Sequence, residues 1–111
     1  MLTIRTINSP SAGILRILSK KTADTRLRED AAAGSVNALG LIQGQLADIY
    51  TAGDIAEKAA NVGIAEVTGM CPQHMSMICV FGDVAEVAEA LKAVNGWMAE
   101  VKADEKEANG Q

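Results

Sequence analysis

Leu2, Ile4 and Ile7 alternate roughly with Thr3, Arg5 and Thr6. This β-branched run predicts a strand over Leu2 to Ile7. Ser9 and Pro10 then read as an N-cap followed by proline at the first helical position. Ile14, Leu15, Ile17 and Leu18 give a short helix its apolar face, with its end near Lys20 and Lys21. From Thr22 to Gly34 the chain is polar and then alanine-rich. That stretch reads as a connector, with Arg26, Arg28, Glu29 and Asp30 forming a solvated surface.

Val36 to Ile42 is apolar enough for a central strand, which Gly44 closes, and Gly40 leaves room for a neighbour to pack closely. Gln45 to Val62 predicts the strongest helix. Leu46, Ile49, Gly53, Ala56 and Ala60 fall on one face at three- and four-residue steps, and Gly63 suits the residue just past its end. Ile64 to Val67 and Met75 to Phe81 read as strands. Period two places Met75, Met77, Cys79 and Phe81 on one face of the second, with Ile78 and Val80 on the other. Asp83 to Asn95 predicts an amphipathic helix with Asp83 and Glu86 as a capping box. Its buried stripe is Val84, Val87, Ala88, Leu91 and Val94. Gly96 marks an end, with Trp97 and Met98 as an extension of the packed segment. Residues 99–111 are charged and small and predict a disordered tail, leaving a single domain over residues 1–98.

The predicted order is β-α-β-α-β-loop-β-α. Its last five elements make most of a ferredoxin-like unit, and the N-terminal strand can supply the fourth strand. The expected class is α+β, an α/β sandwich in which helices flank an antiparallel sheet. Of 111 residues, 49% are apolar and 3% aromatic, so the core is built from Ala, Val, Ile, Leu and Met. A net charge of −4 argues against nucleic acid as partner. No run of about 20 apolar residues could span a membrane, and no signal-peptide core is present. A cytoplasmic protein is expected, where disulfides are disfavoured. No glycine-rich phosphate loop supports a nucleotide site.

Candidate chemistry gathers in Thr68-Gly69-Met70-Cys71-Pro72-Gln73-His74, between two predicted strands. Seven residues exceed the needs of a tight hairpin. Gly69 permits unusual backbone angles and close approach, and Pro72 fixes its own φ and biases Cys71 toward an extended conformation. For one chain alone, Cys71 makes a poor metal site: Cys71 with Cys79 matches neither the four thiolates of an iron–sulfur cluster nor the four ligands of structural zinc. Cys79 reads as a small core hydrophobe. His74 can ligate, donate a hydrogen bond from outside the ligand shell, or anchor the loop, and Gln73 can hydrogen-bond across it. The one histidine has no evident acid–base partner, so an enzyme has little support. A small thiol-redox or regulatory protein with a reactive Cys71 remains open.

Three stretches resemble a known family. Ala38-Leu39-Gly40-Leu41-Ile42, Asp54 to Val62, and Met77-Ile78-Cys79-Val80-Phe81-Gly82-Asp83-Val84-Ala85-Glu86-Val87 are similar to the first strand, first helix and Gly-Asp turn region of bacterial microcompartment (BMC-domain) shell proteins. Leu2 to Leu18 resembles the leading strand and helix of the circularly permuted members. The resemblance implies a homohexamer in a microcompartment shell, contacting other shell proteins and encapsulated enzymes. Some permuted members carry an extra N-terminal segment that makes a barrel over the pore; here Met1 starts almost directly on the strand, so no barrel is expected. Lys58 and Asn61 match positions used at the hexamer edge for tiling, whereas Phe81 replaces the arginine common before Gly-Asp. The turn after the second family strand lines the hexamer pore, which places Thr68 to His74 there. Gly69-Met70-Cys71-Pro72-Gln73-His74 further resembles a permuted branch associated with glycyl-radical propanediol microcompartments and iron–sulfur binding. It implies a cluster of [4Fe-4S] type shared among subunits, with Cys71 as ligand and Gly69, Pro72, Gln73 and His74 around it. A metal-free pore passing small polar metabolites is the alternative within the same family.

Overall fold

The computed structural model describes residues 2–68 and 75–108. The elements are β1 (Thr3–Asn8), α1 (Ala12–Lys20), α2 (Thr25–Ala32), β2 (Ala38–Gln45), α3 (Leu46–Ala59), β3 (Gly63–Val67), β4 (Met75–Gly82) and α4 (Val84–Ala108). The strands form one antiparallel sheet in the order β1-β2-β4-β3. β2 and β4 lie at the centre and are buried on both faces, which explains their nearly unbroken apolar runs.

Alternation along the strands separates two cores. Ala38, Ile42, Ile78 and Val80 face α3 and α4, packing with Ile49, Ala52, Ala56, Val87, Leu91 and Val94. Leu39, Cys79, Phe81, Ala65 and Val67 face the other way, onto Leu18 of α1 and Leu27 of α2. Cys79 and Phe81 thus take the face expected for them, opposite Ile78 and Val80. The close approach expected at Gly40 is also present, where an added Cβ would lie 2.9 Å from Leu91 Cδ1.

Four expectations need correction. Residues 22–34 are not merely a connector, because α2 occupies Thr25–Ala32. Asp24 caps it, its Oδ1 accepting from Arg26 N–H at 2.9 Å, and Gly34 follows it with φ 76°. Only Leu27 of this helix is buried, so it carries no apolar periodicity to detect. The cap of α1 is Ser11, whose Oγ accepts from Ile14 N–H. Ser9 instead turns the chain with φ 51° and donates its N–H to Asn37 O. Gly63 opens β3 opposite Phe81 and is not a helix-terminal residue. Finally, α4 continues through Gly96 to Ala108, so the boundary expected at residue 98 falls inside a helix. Its stripe runs on from Val94 to the half-buried Trp97 and Met98. That packing outweighs the cost of about 1 kcal/mol for an interior glycine.

The buried stripes also differ in detail from expectation. Leu46 and Val84 are exposed, as is Ala88, while Ala52 and Ala90 are fully buried in their place.

Candidate functional site at the β3–β4 connection

Gly69, Met70, Cys71, Pro72, Gln73 and His74 lie outside the described residues. What the structure defines is the stem that carries them. β3 ends at Val67, whose pairing partner is Met77. β4 extends two residues further, with Ser76 and Met75 paired to Gly44 and Gln45 of β2. Thr68 N–H donates to Lys21 O at 2.6 Å, which ties the start of the connection to the residue after α1. Val67 and Leu18 are buried beside this bond, and Thr22 is the one buried polar residue among those described. The stem is thus fixed by strand pairing and by the residue after α1. Sequence reasoning missed the Lys21 anchor, since a backbone acceptor leaves no signal in residue type.

Cys79 is withdrawn from this end of the sheet. It is fully buried between Leu41 and Ala65 of the flanking strands, and burial pushes its thiol pKa up to about 12. A thiol that stays protonated in an apolar layer is a poor nucleophile and a poor ligand. This agrees with the core role expected for it. Among the described residues, no group of three or more His, Cys, Asp or Glu could hold a metal ion.

Lys58 and Asn61 occupy the far end of β3. Lys58 is in the last turn of α3, where its Nζ lies 2.8 Å from Asp54 Oδ2. The hydrogen bond and charge of Asp54 raise the ammonium pKa. Asn61 is exposed in the turn before β3, and its N–H donates to Glu86 Oε1 at 2.7 Å. Asp83 accepts from Asn37 Nδ2 at 3.0 Å. Both members of the anticipated capping box therefore reach across to neighbouring segments and fix this corner. Phe81 lies at the same end, buried against Gly63, with the Arg26 guanidinium 5.8 Å from its ring centroid. Phe81, noted in the sequence as a departure before Gly-Asp, is thus an apolar plug under α2.

The fold and this two-ended arrangement define a class. The family described as BMC domain matches residues 38–104, and the chain belongs to it. No curated protein matches the chain. Among solved structures, the chain is 27% identical to the ligand-free GrpU microcompartment shell protein from Pectobacterium wasabiae, covering 84% of this chain and 99% of that one with a TM-score of 0.62. It is 28% identical to the ligand-free GrpU microcompartment shell protein from Clostridiales bacterium 1_7_47FAA, covering 86% and 94% with a TM-score of 0.61. The protein is a microcompartment shell protein, and it is GrpU-like.

Proposed function

We propose that the chain is a non-enzymatic subunit of a homohexamer in the microcompartment facet, with the β3–β4 connection at the central pore and an iron–sulfur cluster of [4Fe-4S] type held there by Cys71 from several subunits. The observation that supports this most is the placement of the two candidate regions. The stem of the loop and the Lys58–Asn61 corner lie at opposite ends of β3, a five-residue strand of roughly 15 Å. A subunit arranged in this way can present one end to an axis and the other to its neighbours in a sheet of hexamers. β1, which precedes the matched residues 38–104, completes the sheet at the β2 edge. This supports the permuted order of elements.

The donor set fits a shared cluster and not one held by a single chain. Cys79 is locked in the core, so each subunit can offer Cys71 alone as a thiolate. A four-thiolate cluster then needs four copies around an axis. Six-fold symmetry cannot be obeyed by such a cluster, and some thiols are left over. Gly69 and Pro72 shape the loop, and Gln73 and His74 supply hydrogen bonds or a further ligand. The cluster, when bound, provides one-electron redox chemistry, suited to electron transfer across the shell or to delivery toward enclosed enzymes.

Purification without oxygen, followed by iron and acid-labile sulfide analysis and native mass, tests this proposal. About one cluster per hexamer, lost in Cys71→Ser, is the expected result. A hexamer free of iron and sulfide would return the pore to passage of small polar metabolites.

A further inference from the structure

Charge is unevenly spread along the chain. Six of its ten basic residues (Arg5, Arg16, Lys20, Lys21, Arg26 and Arg28) precede position 29, against Asp24 alone of its fourteen acidic ones. Folding turns this asymmetry into two grooves of opposite sign on opposite faces of the sheet. α1 and α2 cover one face. The groove between them is lined by Leu15, Arg16, Ser19, Lys20, Arg28 and Ala31, with no acidic side chain in its wall. Of the nearby carboxylates, Asp24 caps α2 and Asp30 pairs with Arg26 at 3.7 Å, while Glu29 is exposed on α2 outside the groove wall. α3 covers the other face and leaves a second groove along β3. Tyr50, Gly53, Asp54, Glu57, Ile64 and Glu66 line it, with no basic side chain in its wall. Lys58 sits alongside and engages Asp54, which leaves Glu57 and Glu66 as its uncompensated charges. Tyr50 stands at the rim, 58% exposed.

We propose that these grooves are the two halves of one contact between copies of this chain. The Tyr50 rim of one copy docks into the α1–α2 groove of the next, with Glu57 and Glu66 facing Arg16, Lys20 and Arg28. The occupant follows from charge. Pairing either groove with itself places like charges together, whereas pairing one with the other matches three basic residues to the acidic wall. A contact between different surfaces is head-to-tail, the kind that closes into a ring. Tyrosine suits such a site because it brings apolar area and a hydroxyl at small entropic cost. The inference rests on the ring proposed above and specifies which surfaces meet in it.

The test uses the full chain, with native mass and light scattering at ~50 mM and ~500 mM salt, a range over which exposed charges become screened. Glu57→Lys with Glu66→Lys, and separately Arg16→Glu with Arg28→Glu, are each expected to raise the assembly's dissociation constant at least about tenfold. Tyr50→Ala has a similar expected effect. Circular dichroism checks that each variant is folded. Mixing the two charge-reversed chains is expected to restore assembly with strict alternation, and placing all four changes in one chain to restore it alone. Reversed chains that assemble as the wild type does would overturn this contact while leaving the ring intact. A wild-type chain that stays monomeric at every concentration would overturn the ring itself, and this contact with it.

Discussion

Replacing Gly63 by alanine probes the burial of Phe81. A Cβ at Gly63 would lie 2.4 Å from Phe81 Cζ and 2.5 Å from Cε2, where carbon atoms prefer about 3.5–4.0 Å. The ring must retreat by about 1 Å. Phe81 is only 1% exposed, packed with Leu27, Leu39 and Ala65, so it has nowhere to go without moving α2. Overpacking of this kind costs about 1–3 kcal/mol, and the lower backbone entropy of alanine in a strand returns about 0.5–1. Mid-range values of about 2 and about 0.75 leave a net loss of about 1 kcal/mol, or roughly 4–8 °C in Tm for a domain of this size. Gly40→Ala is the control. Its contacts at 2.9 and 3.0 Å are the terminal methyls of Leu91, which can turn aside, so its expected cost is smaller. The assay is calorimetry at one fixed protein concentration, because assembly shifts apparent stability. In the double variant Gly63→Ala/Phe81→Leu, the two changes should offset each other by about 1 kcal/mol or more. A Gly63→Ala protein melting with the wild type would refute the reasoning, as would strict additivity in the double variant.

In a Cys71→Ser background, Cys79 should not react with a thiol reagent in the native protein and should react once the chain is unfolded; labelling of the native protein would contradict its burial. Its folded pKa of about 12 lies above the ordinary thiol value of 9.0, so the unfolded state loses its proton first as pH rises. Stability from this group is complete below about pH 9 and falls between about pH 9 and 12, and Cys79→Ala should flatten that part of a denaturation profile. Glu86→Ala removes the acceptor for Asn61 N–H and should cost about 1 kcal/mol, with Glu86→Gln recovering most of it in urea melts. Lys58→Ala should leave the melting temperature within error, since its ion pair with Asp54 is exposed. The same variant should lose ordered sheets under electron microscopy if Lys58 serves in tiling.

The strands are legible in the sequence because burial on both faces leaves long apolar runs, as in Ala38 to Ile42, and because alternation alone sorts Cys79 from Val80. The loop is legible as an interruption between two such strands, and Cys71 as its unusual residue. Features set by tertiary packing are not. α2 buries a single side chain, Leu27, so no helical spacing of apolar residues reveals it; Asp24 before it and Gly34 after it are the usable signs. Gly63 looks like a helix end because an isolated glycine cannot announce that a ring from the next strand lies across it. Gly96 looks like a stop, yet Trp97, Met98 and Val101 continue the spacing of Leu91 and Val94. Glu86 has the position of a local cap, but its partner is Asn61, 25 positions away.

Some apolar side chains of α3 and α4 are more exposed than their period suggests. Leu46 and Val84 carry the apolar period of their helices and yet are 48% and 45% exposed, and Tyr50, one turn on from Leu46, is 58% exposed. Fully burying an aliphatic or aromatic side chain is worth about 1.5–3 kcal/mol, and association must overcome roughly 4–15 kcal/mol of lost freedom. Each is already about half covered, so completing the burial of all three is worth roughly 2–5 kcal/mol, and the charged grooves must supply the rest. The apolar pattern of these helices therefore describes more surface than one folded copy covers. The same reasoning governs Cys71. With Cys79 sealed away, one chain brings a single thiol to its loop, and only an assembly can turn single thiols into a ligand set. The proposed contact and the proposed pore cluster thus make the same demand, which is that copies meet around a common axis.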